Sequence, residues 1–265
     1  MERYVLRGGE PGADRLELLA QSDRAATSAF WDRAGLREGA DCLDLGCGPG
    51  AVTVALAGRV GPNGTVVAVD RDPDAIRVAR RRMSTAGVSN VEFAVSDAFD
   101  FEADERFDFA YSRLLLHHLA RPADVLERMW NALRPDGVIA VDDADFDGAF
   151  CYPPNSGFDF WRERYSQTVR HHGGDPTLGR KLVRLFVDAG LPLPDVRVTQ
   201  RVLRDGPAKQ IPLLTLQETT DAMVDAGIAT RDEIAAAIDA MAEFAADPTA
   251  IYAGPRHIEV WARKD

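Results

Sequence analysis

Cys42-Leu43-Asp44-Leu45-Gly46-Cys47-Gly48-Pro49-Gly50 is the stretch on which the fold turns. A short apolar run stops at alternating glycines, and a helical pattern, Ala51 to Val60, starts directly after them. A glycine turn between a strand and a helix lets a ligand reach bare backbone and aims the helix N-terminus at it. The helical pattern closes at Gly61-Pro62-Asn63-Gly64, residues typical of a turn.

Outward from this turn, strand and helix alternate. Thr65-Val66-Val67-Ala68-Val69-Asp70 is a β-branched run of the kind a buried parallel strand needs. Asp72 caps a helix that Pro73 begins; its apolar stripe is Ile76, Ala79, Met83 and Ala86, and Gly87 ends it. Val91 to Val95, Phe107 to Tyr111 and Val138 to Val141 read as further strands, with a helix from about Pro122 to Leu133 before the last. Such alternation at short spacing predicts an α/β fold with a doubly wound, mostly parallel, Rossmann-like sheet.

Past Asp142 the alternation lapses. Residues 148–177 hold aromatics among prolines and glycines, Leu178 to Ala189 is helical, and Val196 to Val202 alternates as a strand. A helical stretch, about Pro212 to Asp247, then separates that strand from a final one, His257 to Ala262. The expectation is a seven-stranded sheet carrying a helical lid and a helical insertion. Its parts are an N-terminal segment over the ligand (1–35), a core (36–150), an aromatic lid (151–177) and a closing part (178–265) with the insertion at about 207–250.

A chain of 265 residues that is 46% hydrophobic can bury a substantial core. The net charge of −11 argues against nucleic acid as the main partner, because phosphate binding needs a concentrated basic surface. Arg77 to Arg82, the densest basic run, is broken by apolar residues and reads as a solvated helix face. No stretch nears the ~20 apolar residues that span a bilayer, and Met1 to Gly9 lacks a signal-peptide hydrophobic region. Cys42, Cys47 and Cys151 have no metal-ligand spacing, so the reading is a reducing cytoplasm and no metal. A small molecule is the expected partner, without nucleic acid or membrane, and a homodimer is left open.

Two ligand classes fit the glycine turn. Gly46-x-Gly48-x-x-Ala51 satisfies a relaxed dinucleotide fingerprint, and Asp70 follows at about the distance that meets ribose hydroxyls. Against a dinucleotide stands Asp44, a carboxylate two residues before the first glycine, which suits a cationic amine and not a pyrophosphate. Asp97, in Val95-Ser96-Asp97-Ala98, stands just past the third strand, well placed to accept a hydrogen bond from an adenine amino group. The late pair of strands around a helical insertion also departs from plain alternation.

With these residues the sequence resembles the class I S-adenosylmethionine-dependent methyltransferases. Leu43 to Gly50 looks like their first motif, Val69-Asp70 like their ribose motif and Ser96-Asp97-Ala98 like their adenine motif. Leu133-Arg134-Pro135-Asp136-Gly137 resembles the turn before their fifth strand, with Asp136 where glycine is more usual. The likeness covers residues 36–150 closely and the rest in outline. It implies S-adenosyl-L-methionine as cofactor and S-adenosyl-L-homocysteine as product. The implied reaction moves the methyl group to an oxygen, nitrogen or carbon of a small, flat or hydrophobic biosynthetic molecule.

The resemblance also implies a cofactor set. Gly46 and Gly48 would touch the methionine part, with Cys47 and Asp44 beside them. Asp70 would hold the ribose, Arg71 would flank the adenine, and Asp97 and Ala98 would bind its amino edge next to Phe99. Arg113, leaving the fourth strand, pairs either with the methionine carboxylate or in an internal ion pair. Tyr4 and the Gly8-Gly9 turn would fold over the cofactor. Two alternatives stay open: an enzyme of this fold that catalyses a non-methylating reaction such as cyclisation, and an NAD-dependent oxidoreductase.

Methyl transfer is an in-line displacement on a sulfonium, so the protein mainly positions reactants and sometimes removes a proton. His117 and His118, in Leu114-Leu115-Leu116-His117-His118-Leu119, are the catalytic candidates. On a helix neighbours point ~100° apart, so at most one is expected to face the site, and His118 is expected to matter more. His171 and His172 are weaker candidates. Asp142, Asp143, Asp145 and Asp147 invite a metal reading, but Pro154 stands where a calcium loop needs glutamate. A substrate-facing carboxylate is the preferred reading. Phe150, Tyr152, Phe158, Phe160, Trp161 and Tyr165, with the helical insertion, are expected to form the substrate lid.

Overall fold

The computed structural model describes residues 10–265. Helix α1 (Glu10–Ala34) leads into five strands and three helices in alternation. These are β1 (Asp41–Leu45), α2 (Ala51–Val60), β2 (Thr65–Asp70), α3 (Pro73–Ala86), β3 (Val91–Val95), β4 (Phe107–Arg113), α4 (Pro122–Asn131) and β5 (Leu133–Asp145). Then follow β6 (Phe150–Tyr152), α5 (Ser156–His171), α6 (Leu182–Asp188), β7 (Asp195–Thr199) and β8 (Val202–Leu203). Helices α7 (Ile211–Asp225) and α8 (Arg231–Ala246), then β9 (Ile251–Ala253) and β10 (Arg256–Arg263), complete the chain.

The main sheet has seven strands in the order β3-β2-β1-β4-β5-β10-β7, and only β10 runs antiparallel to its neighbours. Helices cover both faces, so the central strands are apolar throughout: Cys42, Leu43 and Leu45 of β1 are at most 1% exposed. Helix α3 starts as its sequence dictates, with Asp72 accepting a hydrogen bond from the Asp74 N–H and Pro73 in the first turn. Ile76, Ala79 and Met83 are buried, whereas Ala86, the last residue of the expected stripe, is exposed.

Three features differ from the sequence expectation. The aromatic stretch contains a full helix, α5, capped by Asn155, whose side chain accepts from the Phe158 N–H. Phe158, Trp161, Tyr165 and Val169 fall on one face of it and pack with Leu216, Met223, Ile234 and Phe244 in a second core. Next, the single strand read over Val196 to Val202 is broken at Gln200-Arg201 into β7 and β8. There the Gln200 amide donates to the carbonyls of Gly148 and Gly254, and the chain passes into a small sheet, β6-β9-β8. Finally, His117 and His118 lie on a single 3-10 turn, Leu116–His118, and not on an α-helix.

Asp136 adopts φ 65°, inside the left-handed region. Its backbone N–H donates to Lys264 and its carbonyl accepts from Arg263, which fixes the turn against the last strand. Glycine reaches that conformation without strain, which accounts for its being more usual there.

Candidate functional site

A cavity of about 1320 Å³ lies over the carboxyl ends of the parallel strands, walled by α1, the glycine turn, α5 and α7. Every described residue of the expected cofactor set, from Asp44 to Arg113, lines it. Tyr4 and the Gly8-Gly9 turn lie outside the described residues.

At one end, the glycine turn holds its shape through positive φ angles at Gly46 and Gly48. A Cβ on Gly46 would sit 2.9 Å from the tip of the Leu115 side chain, which would have to move, and its φ of 79° strains any other residue. Asp70 fastens the turn from below: Oδ2 accepts from the Gly48 N–H at 2.8 Å and Oδ1 from the Asp72 N–H at 2.9 Å. Each oxygen keeps a second lone pair for a ligand hydroxyl. Burial pushes the Asp70 carboxyl up. Asp97 Oδ1 accepts from the Phe99 N–H at 3.0 Å, its Oδ2 is 3.9 Å from Arg71, and the Arg121 guanidinium lies over the Phe99 ring. Asp44 is buried at the end of β1, where the Thr53 hydroxyl donates to it at 2.7 Å and burial pushes its carboxyl up to about 6. The Cys47 thiol is also pushed up by burial.

Arg113 is engaged internally. Its Nη2 lies 2.6 Å from Asp23 on α1 and its Nε 3.1 Å from Asp142 on β5, with 7% of the side chain exposed. Of the two readings left open for it, the structure shows the ion pair.

Beyond Arg113 the chain turns sharply through Leu114, at φ 53°, into the histidine turn. His117 is buried, and its Nδ1 is 2.5 Å from Asp143 Oδ1. The backbone N–H of His117 donates to Asp143 Oδ2 at 3.1 Å, and Nε2 is buried without a hydrogen bond among the described residues. His118 also lines the cavity, 3.9 Å from His117 between ring centroids. Burial, then the neighbouring His117, pushes the His118 imidazole well below its ordinary range. His171 and His172 reach the cavity too, the latter with Nδ1 2.8 Å from the Thr168 carbonyl.

The acidic residues at the end of β5 and just past it do not line the cavity, so they supply no substrate-facing carboxylate there. Asp142 meets Arg113 and His257, Asp143 meets His117, Asp145 meets Arg180 and Arg256, and Asp147 meets Arg180. Each acid has a cationic or imidazole partner, and for the buried Asp142, Asp143 and Asp145 that pairing is what burial of a carboxylate requires.

The other end of the cavity is aromatic and apolar: Phe146, Trp161, Tyr165 and Tyr252, with Leu203 and Ile211. Of the expected lid residues, Trp161 and Tyr165 are here, and Phe158 packs behind Trp161. Phe160 lies only partly buried against the second core, while Phe150 and Tyr152 face outward on β6. Phe146, Tyr252, Arg15 and Glu218 were not legible as site residues. The last two form an ion pair at 2.8 Å across 203 residues, which no local pattern announces.

Among the described residues, no helix is long and apolar enough to cross a membrane. Residues 36–190, more than half of the chain, match a family model described as a methyltransferase domain. An uncharacterised 37.1 kDa protein in transposon Tn4556 of Streptomyces fradiae is 33% identical over 80% of this chain and 61% of its own length. An uncharacterised methyltransferase of Schizosaccharomyces pombe is 28% identical over 56% of this chain and 55% of its own. The chain thus spans less than two thirds of either relative. The YcgJ protein of Bacillus subtilis superposes with a TM-score of 0.59 at 17% identity, covering 91% of this chain and 98% of that one, a likeness of fold. The chain belongs to the methyltransferase-domain family, within the class I fold that uses S-adenosylmethionine.

Proposed function

We propose that this chain transfers the methyl group of S-adenosylmethionine to an oxygen, nitrogen or carbon of a small, flat or hydrophobic molecule of biosynthesis, in a cytoplasmic setting. One observation carries the reading: a single cavity joins the glycine turn, Asp70 and Asp97 to the aromatic end at Phe146, Trp161, Tyr165 and Tyr252, with His117 on its wall. The residues suit the cofactor. Asp44 is a buried carboxylate held by the Thr53 hydroxyl, with Arg113 the cation whose charge acts on it, a complement to an ammonium or sulfonium. A Cβ on Gly48 would meet nothing nearer than Leu16 at 3.9 Å, so its backbone is open to a ligand.

When bound, the cofactor supplies an electrophilic methyl group on a sulfonium. Asp70 then holds the ribose hydroxyls without releasing the glycine turn, and Asp97 with Ala98 takes the adenine edge. Phe146, Trp161, Tyr165 and Tyr252 exclude water and orient a flat acceptor. Asp143 keeps the proton of His117 on Nδ1, which leaves the Nε2 lone pair to receive the acceptor's proton. His118 is the weaker base, because burial disfavours its charged form. The base role therefore goes to His117, in place of the order expected from sequence.

Calorimetry with S-adenosylhomocysteine and with NAD tests the cofactor half. Micromolar binding of the first and none of the second is expected, and the opposite pattern removes the reading. Transfer of label from methyl-tritiated cofactor to a panel of aromatic phenols, amines and acids tests the acceptor half. A cofactor-binding protein that labels only polypeptide or nucleic acid would overturn it.

A further inference from the structure

We propose that Arg15 is the carboxylate-recognising group of the cavity, an inference that rests on the cofactor reading above and extends it. Arg15 sits on α1, is 6% exposed and lines the cavity. A guanidinium offers five N–H donors in a planar fork suited to the two oxygens of one carboxylate. Here Nε donates to Glu218 Oε2 at 2.8 Å, while Nη2 is buried with no hydrogen-bond partner among the described residues. An unsatisfied buried donor on an ionised group is costly, and it calls for a partner that the described residues do not provide.

Two further observations give that partner its place. Arg113, another arginine on the cavity wall, is held by Asp23 through Nη2 and by Asp142 through Nε, with 7% of its side chain exposed. Arg15 also stands where both ends of the cavity can be reached. Its neighbour Leu16 passes over the glycine turn, 3.9 Å from the place of a Cβ on Gly48. At the other end, burial raises the phenols of Tyr165 and Tyr252, and the charge of Arg15 opposes that rise. A carboxylate can arrive there from two sources: the methionine moiety of the cofactor, or an acidic acceptor.

The test compares wild type with Arg15→Met and with Arg15→Met/Glu218→Gln, the second variant removing the carboxylate that the first leaves unpaired. Binding is measured for S-adenosylhomocysteine and for 5′-methylthioadenosine, which keeps the nucleoside and thioether but has no carboxylate. With S-adenosylhomocysteine saturating, 4-hydroxybenzoate is then compared with 4-hydroxybenzamide. A loss of roughly 10- to 100-fold in S-adenosylhomocysteine affinity in both variants, with methylthioadenosine unchanged, assigns Arg15 to the methionine carboxylate. Unchanged S-adenosylhomocysteine with loss of the acid's advantage over the amide assigns it to the acceptor. No change in any of these affinities, or an equal loss for both nucleosides, overturns the proposal. A wild-type protein that binds no S-adenosylhomocysteine sinks the cofactor reading instead.

Discussion

Asp143 grips His117 twice, its Oδ1 lying 2.5 Å from the ring Nδ1 and its Oδ2 accepting from the backbone N–H of the same residue. One carboxylate thereby fixes both the ring and the turn that carries it, in a site where both side chains are at most 2% exposed. Low dielectric strengthens such a contact.

The first prediction follows from this pair. For a hydroxyl or ammonium acceptor, His117→Ala should lower kcat by roughly 10²–10⁴-fold while leaving S-adenosylhomocysteine affinity within a few-fold. Asp143→Asn should lower kcat in the same direction, because the amide no longer selects the Nδ1–H form. Wild type and His118→Ala should share the shape of their pH–rate profiles, and His117→Ala should depart from it. Identical profiles in all these proteins would reduce the pair to a structural role.

Asp44 sets the second. Its carboxyl is raised from about 3.8 to about 6, chiefly by burial, which the Thr53 hydrogen bond opposes. The folded protein thus prefers the protonated form, and this group's contribution to stability falls as pH rises through that interval. A bound cation favours the ionised form, so cofactor affinity should rise from pH 5 to pH 7 and then level. Calorimetry across that range should show the rise in wild type and a flatter curve in Asp44→Asn. Parallel curves would exclude a cation at Asp44.

Asp70 serves ligand and loop together. Because its two oxygens hold the Gly48 and Asp72 N–H groups, Asp70→Ala should weaken S-adenosylhomocysteine by roughly 10-fold or more. The variant should also lose about 1–2 kcal/mol of stability, seen as a melting temperature lower by several degrees. Unchanged affinity in a folded variant would place the ribose elsewhere.

The fold between β1 and β5 was legible because each element carries its own signal. β1 and β2 are apolar on both faces, α3 opens with Asp72-Pro73, and Gly87 stops it at φ 67°. Helix α5 was hidden because its cap and first turn, Asn155-Ser156-Gly157, follow two prolines and read as loop. The histidine pair was visible, but its partner was not. His117 and Asp143 are 26 residues apart and meet only because β4 and β5 run parallel in register, Arg113 beside Asp142. Spacing along the chain carries no trace of that register.

Asp136 gives the fourth prediction. In the left-handed region a β-branched side chain is strained most and glycine not at all. Urea melts should order the variants as Gly at or above Asp, then Ala, then Val, with Asp136→Val at least about 1 kcal/mol less stable than wild type. A Val variant as stable as wild type would mean that the turn relaxes to another conformation.

The insertion that roofs the aromatic end leaves and re-enters the molecule through paired residues, Val202 opposite Ala253 and Leu203 opposite Tyr252. Its two ends are therefore one strand spacing apart, about 5 Å, whatever lies between them. An element with adjoining ends can be exchanged as a cassette, because its length places no demand on the seven-stranded sheet. A chimera joined at this two-residue stem would exchange the wall that α7 gives the cavity while leaving the glycine turn, Asp70, Asp97 and the aromatic residues of α5 in place. The donor segment needs to bring an apolar face for α5 and a carboxylate for Arg15.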